Sequence, residues 1–363
     1  MQVTTSNLNP PSASVLFFPR GGPGGSVLGT PQAITPSVDP SFAGPMGANG
    51  LVGLGGSSMI EFFRLNAGVW SSAGTVPMPA NRFIVAMNDR WIVFRKGVPP
   101  AAGVDGDVLV YAIDNSGPTV TAAPVATLGP DPSWAPALRE GFGIVVALDG
   151  DLMAVSGQAQ DGSTPPGGRV FRAMSNVWQP VVSVGGVPGG PVSLAQQGLA
   201  VDDGATVDRV AVQIRATSLS LPTVEVYADT GTGFALEQSI GRDTSEPDTY
   251  NELYFGSGIG LDGDLLAVTG RGVAVPSAEV GHADVTVGRV QLFRKGATWV
   301  REAEVGGFLN PAPPDVASMA PSKLMVADGH VAATLFVNPD PPVGCVFPCF
   351  IFGFEAWSID RTN

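Results

Sequence analysis

The chain has 363 residues and a formal net charge of −13, with only 19 Lys and Arg, of which Lys96, Lys295 and Lys323 are the lysines. No basic cluster exists to neutralise phosphate, so neither nucleic-acid binding nor attraction to an anionic membrane surface is expected. Gly (48) and Pro (33) interrupt the chain too often for long helices, and no run approaches the roughly 18 apolar residues of a membrane span, so an all-β protein of many short strands without membrane insertion is expected.

Residues 1–12 are polar, contain Pro10-Pro11, and read as an arm. The same stretch has neither a basic n-region nor an apolar h-region, so no Sec signal is expected there. Ser14–Arg20 reads as a strand, Gly21–Gly25 as a turn and Ser26–Gly29 as a second strand. A repeat of roughly fifty residues follows. Its copies span Ser41–Pro77, Asn81–Leu128, Gly141–Val184, Pro191–Ile240, Phe255–Val305 and Lys323–Asp360. In the first, Phe42–Asn49 and Leu51–Gly55 form a degenerate inner pair. The third is the clearest: Gly143–Leu148 and Asp151–Gly157 are apolar strands joined by a type I′ turn at Asp149-Gly150, and Arg169–Ala173 and Trp178–Val184 form a second hairpin. The fifth repeats it almost letter for letter, FGSGIGLDGDLLAVTG against FGIVVALDGDLMAVSG, with Trp299 in the place of Trp178. In the fourth, the inner turn widens to Asp202–Asp208. The sixth has its inner turn at Asp328-Gly329 and lacks an outer strand, while the N-terminus has one to spare.

Four strands per repeat at this period predict a single β-propeller over residues 13–363. The expected ring has six four-stranded blades, or seven if 14–29 belongs to a separate partial blade. Pairing of the N-terminal strand with the C-terminal blade would close it and remove the free edge. The pattern carried by Phe142-Gly143, Ala147–Val155, Gly168–Arg172 and Trp178, and again by Phe255-Gly256, Gly260–Val268, Gly288–Arg294 and Trp299, resembles the FG-GAP repeats of bacterial proteins, which are similar to those of integrin α chains. The resemblance implies a propeller that works in adhesion or protein contact, with no common catalytic residue.

In that family some repeats bind calcium through D-x-D-x-D-G loops. Asp149-Gly150-Asp151 and Asp262-Gly263-Asp264 have two carboxylates each and read as turns. Asp105-Gly106-Asp107 has the same letters in front of a third strand, so Asp-Gly-Asp here is turn chemistry. Asp202, Asp203 and Asp208 are the one candidate metal set, and calcium the one candidate cofactor. Cys345 and Cys349 either close a small disulfide ring or stay reduced. The only histidines, His282 and His330, sit in a loop and at a turn edge. No nucleophile elbow, zinc-protease motif or P-loop is present. The longest loops are Gly129–Gly141, Gly241–Tyr254 and Arg271–Val287, and Tyr250 and Tyr254 are the candidate contact residues. The expectation is therefore a non-enzymatic recognition or adhesion module, located outside the cell, on its surface or on a virion. Its partner would be a protein, a surface glycan or neighbouring subunits of an assembly. The alternatives are a structural component of a phage particle, from the tail or the capsid surface, and a carbohydrate-active enzyme.

Overall fold

The computed structural model describes residues 2–4, 14–17, 20–21, 27–28, 32–37, 51–56, 58–96, 103–157, 167–185, 198–214, 222–241, 255–270, 274–275, 285–287, 289–306, 316–327, 330–339 and 351–358. They form two compact units, Met1–Ala159 with Arg169–Val181, and Gln160–Gly168 with Val182–Asn363. Among the described residues no helix is long and apolar enough to cross a membrane.

The predicted repeat is present as a series of antiparallel sheets. The first has three strands, Leu51–Gly55, Met59–Asn66 and Val69–Pro77. The second runs Arg82–Met87, Trp91–Lys96, Val108–Asp114, Thr121–Leu128. The third runs Val146–Asp149, Leu152–Gly157, Gly167–Met174, Val177–Gly185. The fourth runs Leu199–Asp202, Arg209–Ile214, Thr223–Asp229, Phe234–Ile240. The fifth runs Ile259–Asp262, Leu265–Gly270, Arg289–Lys295, Trp299–Gly306. In a sixth sheet Val316–Ala327, His330–Pro339 and Ile351–Ser358 pair in that order, with Val285–Val287 running parallel to the first of them. Four-stranded sheets paired in chain order, with apolar faces packed on one another within each unit, are the building block of a β-propeller, and this is the fold class.

The packing follows from the apolar runs. The second strands LMAV and LLAV are buried on both faces, with Leu152, Met153, Ala154, Val155, Leu265, Leu266, Ala267 and Val268 all fully inaccessible. Only a sheet covered on both sides demands such runs. In the first unit one core joins the second and third sheets through Trp91, Val108, Val110, Phe142, Met153, Phe171 and Trp178. In the second unit another joins the fourth and fifth through Val224, Val226, Phe255, Leu266, Phe293 and Trp299.

Several sequence expectations are corrected. The inner turn of the third sheet is Gly150-Asp151, one residue later than expected, because Asp149 pairs with Leu152; Asp262 pairs with Leu265 in the same way. Gly150 (φ 48°) and Gly263 (φ 59°) are left-handed while the following Asp residues are not, which is the II′ pattern and not I′. Ser14–Phe17 is flanked on its two edges by Gln2–Thr4 and Gln32–Ile34, in place of the pairing expected with the C-terminal strands. Its neighbour Arg20–Gly21 pairs with Val27–Leu28. Phe42–Asn49 and the Asp328-Gly329 turn lie outside the described residues, although Ala327 and His330 are paired across that turn.

The repeated Phe-Gly is a structural joint. Strand pairing begins only at Val146 and Ile259, three residues after the dipeptide. The intervening chain hooks over a buried hydroxyl at the end of the next strand. Gly143 N donates to Ser156 O (2.9 Å), Ser156 N to Val145 O (2.9 Å), and Val145 N to Ser156 Oγ (2.9 Å). In the fifth sheet Gly256 N donates to Thr269 O (2.8 Å), Thr269 N to Gly258 O (2.9 Å), and Gly258 N to Thr269 Oγ1 (2.8 Å). The Ser and Thr of AVSG and AVTG are thus anchors. Thr269→Ala is expected to lower stability by about 1–2 kcal/mol, with Thr269→Ser recovering most of it, measured by urea unfolding.

Candidate functional site

In an antiparallel four-stranded sheet, the tight turns within both hairpins lie at one end. The connection between the hairpins and the exit to the next sheet lie at the other, the loop end. In the second sheet this end gathers charge. Arg82 opens the first strand, Lys96 closes the second, and Asp107 precedes the third. The Asp107 carboxylate is shared between Arg82 and Lys96, the latter at 2.6 Å.

The exit loop from this sheet adds the rest. Its one helical turn, Pro136–Glu140, starts on Pro, whose fixed φ suits a first helical residue. Leu138 is buried beneath it, and Trp134 covers Gly157, where a Cβ would lie 2.5 Å from the indole ring. Arg169 holds the loop by donating to the carbonyls of Gly129 (2.7 Å) and Pro130 (2.5 Å). Gly129–Gly141, one of the three longest loops read from the sequence, is thus packed in place. The helix is clamped to the Gly103–Asp107 segment: Gly106 N donates to Arg139 O (2.7 Å), Gly103 N to Glu140 Oε1 (2.7 Å), and Arg139 Nε lies 3.5 Å from Asp105 Oδ1. A Cβ on Gly106 would come within 2.5 Å of Phe142 O, so glycine is required for this approach.

Asp105, Asp107 and Glu140 thus meet Arg82, Lys96 and Arg139 at one sheet end. Arg82 and Asp107 side chains are 15% and 20% exposed, whereas Asp105 is 46% exposed, so Asp105 faces solvent while Asp107 is held from below. Two carboxyl groups from separate segments are thus brought to one sheet end, Asp105 beside a guanidinium and Glu140 accepting a backbone N–H. Sequence reading missed this set. Asp105-Gly106-Asp107 reads as a turn, and nothing in the sequence ties it to Arg139 and Glu140.

The predicted site residues fare differently. Asp202 ends a strand opposite Arg209 and is buried, and Asp203 and Asp208 follow in the widened turn. Among the described residues no three His, Cys, Asp or Glu side chains are placed to hold a metal ion, so Asp202, Asp203 and Asp208 are not brought together as a calcium set. Tyr250, Tyr254, Cys345, Cys349 and His282 lie outside the described residues. Asp151 is engaged in sheet-to-sheet contact: it accepts from Trp91 Nε1 (2.9 Å) and Arg90 (2.5 Å), beside an Asn88 side chain that donates to Gly150 O (2.8 Å).

The second unit holds a comparable cluster at its turn end. Glu237 accepts from Trp299 Nε1 (2.8 Å) and Arg209 Nε (3.2 Å), with Lys295 at 3.4 Å. Burial pushes its carboxyl up, but the bonds from Trp299 and Arg209 and the charges of Arg209 and Lys295 outweigh it and hold the pKa below the usual glutamate value. Arg209 also lies over the Trp299 ring at 5.8 Å and donates to Gly263 O (3.3 Å). Glu237 occupies the β-bulge between Gln238 and Leu236, as Val125 does between Ala126 and Pro124 in the second sheet. Trp91 takes the place of Arg209, each pairing with the second residue after the bulge. Ala173 takes the place of Lys295, each donating its N–H to the carbonyl of the turn Asp (2.8 Å). Trp178 accordingly meets Trp91 edge-on at 5.2 Å, and its buried Nε1 has no acceptor among the described residues. Val125→Glu is expected to supply one and raise stability by about 0.5–1 kcal/mol, read as a higher urea midpoint.

The sheets and their packing define a β-propeller protein. No family profile and no curated protein matches the chain. Similar solved structures include an α-L-arabinofuranosidase of Fusarium graminearum (11% identity, covering 74% of this chain and 77% of that one, TM-score 0.41). An α-L-arabinofuranosidase of Lactobacillus brevis is another (10%, 78% and 91%, TM-score 0.41). A third is the β-propeller domain of the Trilobed protease of Pyrococcus furiosus (11%, 79% and 76%, TM-score 0.40). These neighbours correct the expectation of a non-enzymatic recognition or adhesion module. That expectation passed from fold to absence of catalysis, and the solved chains that resemble this one include glycoside hydrolases.

Proposed function

We propose that the chain is a carbohydrate-active enzyme that hydrolyses glycosidic bonds at the loop end of the second sheet. The observation that supports this is the meeting of Asp105 and Glu140, from separate segments, across the clamp formed by Gly103, Gly106 and Arg139. Glycoside hydrolysis requires one carboxyl group to protonate the leaving oxygen and another to attack the sugar or activate water. Asp105 and Glu140 fill these two roles. Asp107, held between Arg82 and Lys96, sets the position of the segment. The FG-GAP resemblance is kept for the Phe-Gly joint alone, and a glycan substrate goes with a location outside the cell.

The test is reducing-sugar release from arabinan, galactan, xylan and pectin. Activity on at least one is expected, with Asp105→Asn and Glu140→Gln each lowering turnover 100-fold or more at unchanged thermal midpoint. No release from any of them, or variants as active as the parent, overturns the reading.

A further inference from the structure

We infer that this site takes an anionic glycan, with the Arg95 guanidinium receiving the carboxylate of a uronic acid residue. The inference rests on the hydrolase reading for its location but on different groups for its chemistry. The chain is short of cations, 19 Lys and Arg in a molecule of net charge −13. Four of them, Arg82, Arg95, Lys96 and Arg139, nevertheless gather at one end of one sheet, against three carboxylates, Asp105, Asp107 and Glu140. Arg82, Lys96 and Arg139 are engaged by Asp107 and Asp105. Arg95 has no ion-pair partner among the described residues, and it is half-buried, not extended into solvent.

Its setting is that of a receptor and not of a solubilising charge. Arg95 is on the second strand, paired with Val108 at the first residue of the third strand. Its stem runs beside Gly143, where a Cβ would stand 3.7 Å from Arg95 Cβ and 2.9 Å from Val108 Cγ1. No side chain at 143 covers it. An arginine without an ion-pair partner among the described residues, its Cβ beside a position that carries no side chain, can bind the planar carboxylate of a sugar acid through two parallel hydrogen bonds. Lys96, 36% exposed and shared with Asp107, stands at the adjacent position to add long-range attraction.

Calorimetric titration with trigalacturonate, its methyl ester and neutral arabinotriose tests this. Trigalacturonate is expected to bind, to weaken as salt is raised, and to lose 10-fold or more in affinity in Arg95→Gln, whose thermal midpoint stays that of the parent. The methyl ester, equal in shape but uncharged, is expected to bind at least 10-fold more weakly than the acid. Equal affinity for acid and ester, or an Arg95→Gln variant that binds the acid as the parent does, overturns the inference. The two readings separate cleanly. If neutral glycans are cleaved while trigalacturonate is not bound, the inference fails and the hydrolase reading stands. If trigalacturonate binds through Arg95 and no glycan is cleaved, the hydrolase reading fails and the binding site stands.

Discussion

Gly256→Ala is expected to lower stability by about 2–5 kcal/mol, and Gly143→Ala by a similar amount. Both residues are left-handed, at φ 77° and 94°, which a side chain adopts at a cost of about 1–2 kcal/mol. Both also lie against the preceding sheet. A Cβ at 256 would stand 2.7 Å from Val224 Cγ2, and one at 143 would stand 2.9 Å from Val108 Cγ1. Val224 and Val108 are fully buried, so neither has room to retreat, and overpacking adds about 1–3 kcal/mol. Gly263→Ala is the control. Gly263 is also left-handed, at 59°, but nothing lies within 4 Å of its Cβ direction, so only the backbone cost of about 1–2 kcal/mol applies. Urea unfolding followed by tryptophan fluorescence measures all three. Equal losses at 256 and 263 would show that the approach of the two sheets is looser than the geometry states.

Glu237→Ala is expected to cost about 2–4 kcal/mol and to flatten the acid limb of the stability curve. Removing the carboxylate strands the Trp299 N–H and leaves Arg209 and Lys295 facing each other without an anion between them. Because the folded pKa of Glu237 is held below its unfolded value, its contribution is complete above the unfolded value of about 4.5 and is lost as pH falls through the folded one. Thermal midpoints of the parent should therefore fall on acidification below about pH 4.5 more steeply than those of Glu237→Gln. A variant that tracks the parent through that range would mean that the carboxylate is not held in its charged form by these neighbours.

Much of the fold was legible because the inner strands announce themselves. Runs such as LMAV and LLAV, bounded by Asp-Gly-Asp and Gly, leave little choice but strand, turn, strand. Register was less legible: Asp149-Gly150 and Gly150-Asp151 are both good turn dipeptides, and only the pairing of Asp149 with Leu152 decides between them. The Phe-Gly dipeptide was visible as a motif, but its partner hydroxyls on Ser156 and Thr269 were not. A Ser or Thr at a strand end has many uses, and this one depends on how the preceding bend folds back. The candidate site was least legible of all. Asp105 and Glu140 acquire a relation only through the backbone bonds of Gly103 and Gly106 to the exit helix, and no spacing rule in one dimension encodes that contact.

The tryptophan contacts carry a consequence for engineering. Arg209, Glu237 and Lys295 around Trp299 are replaced at the matching positions by Trp91, Val125 and Ala173 around Trp178. The four positions come from two neighbouring sheets in each case: Arg209 and Glu237 pair within the fourth, and the fifth brings Lys295 and Trp299 to them. The unit to be kept whole is thus the seam and not the sheet. A chimera that splices within a sheet, keeping each seam with both its halves, should fold where one that sets the fifth sheet against the second leaves the Lys295 ammonium facing Val125.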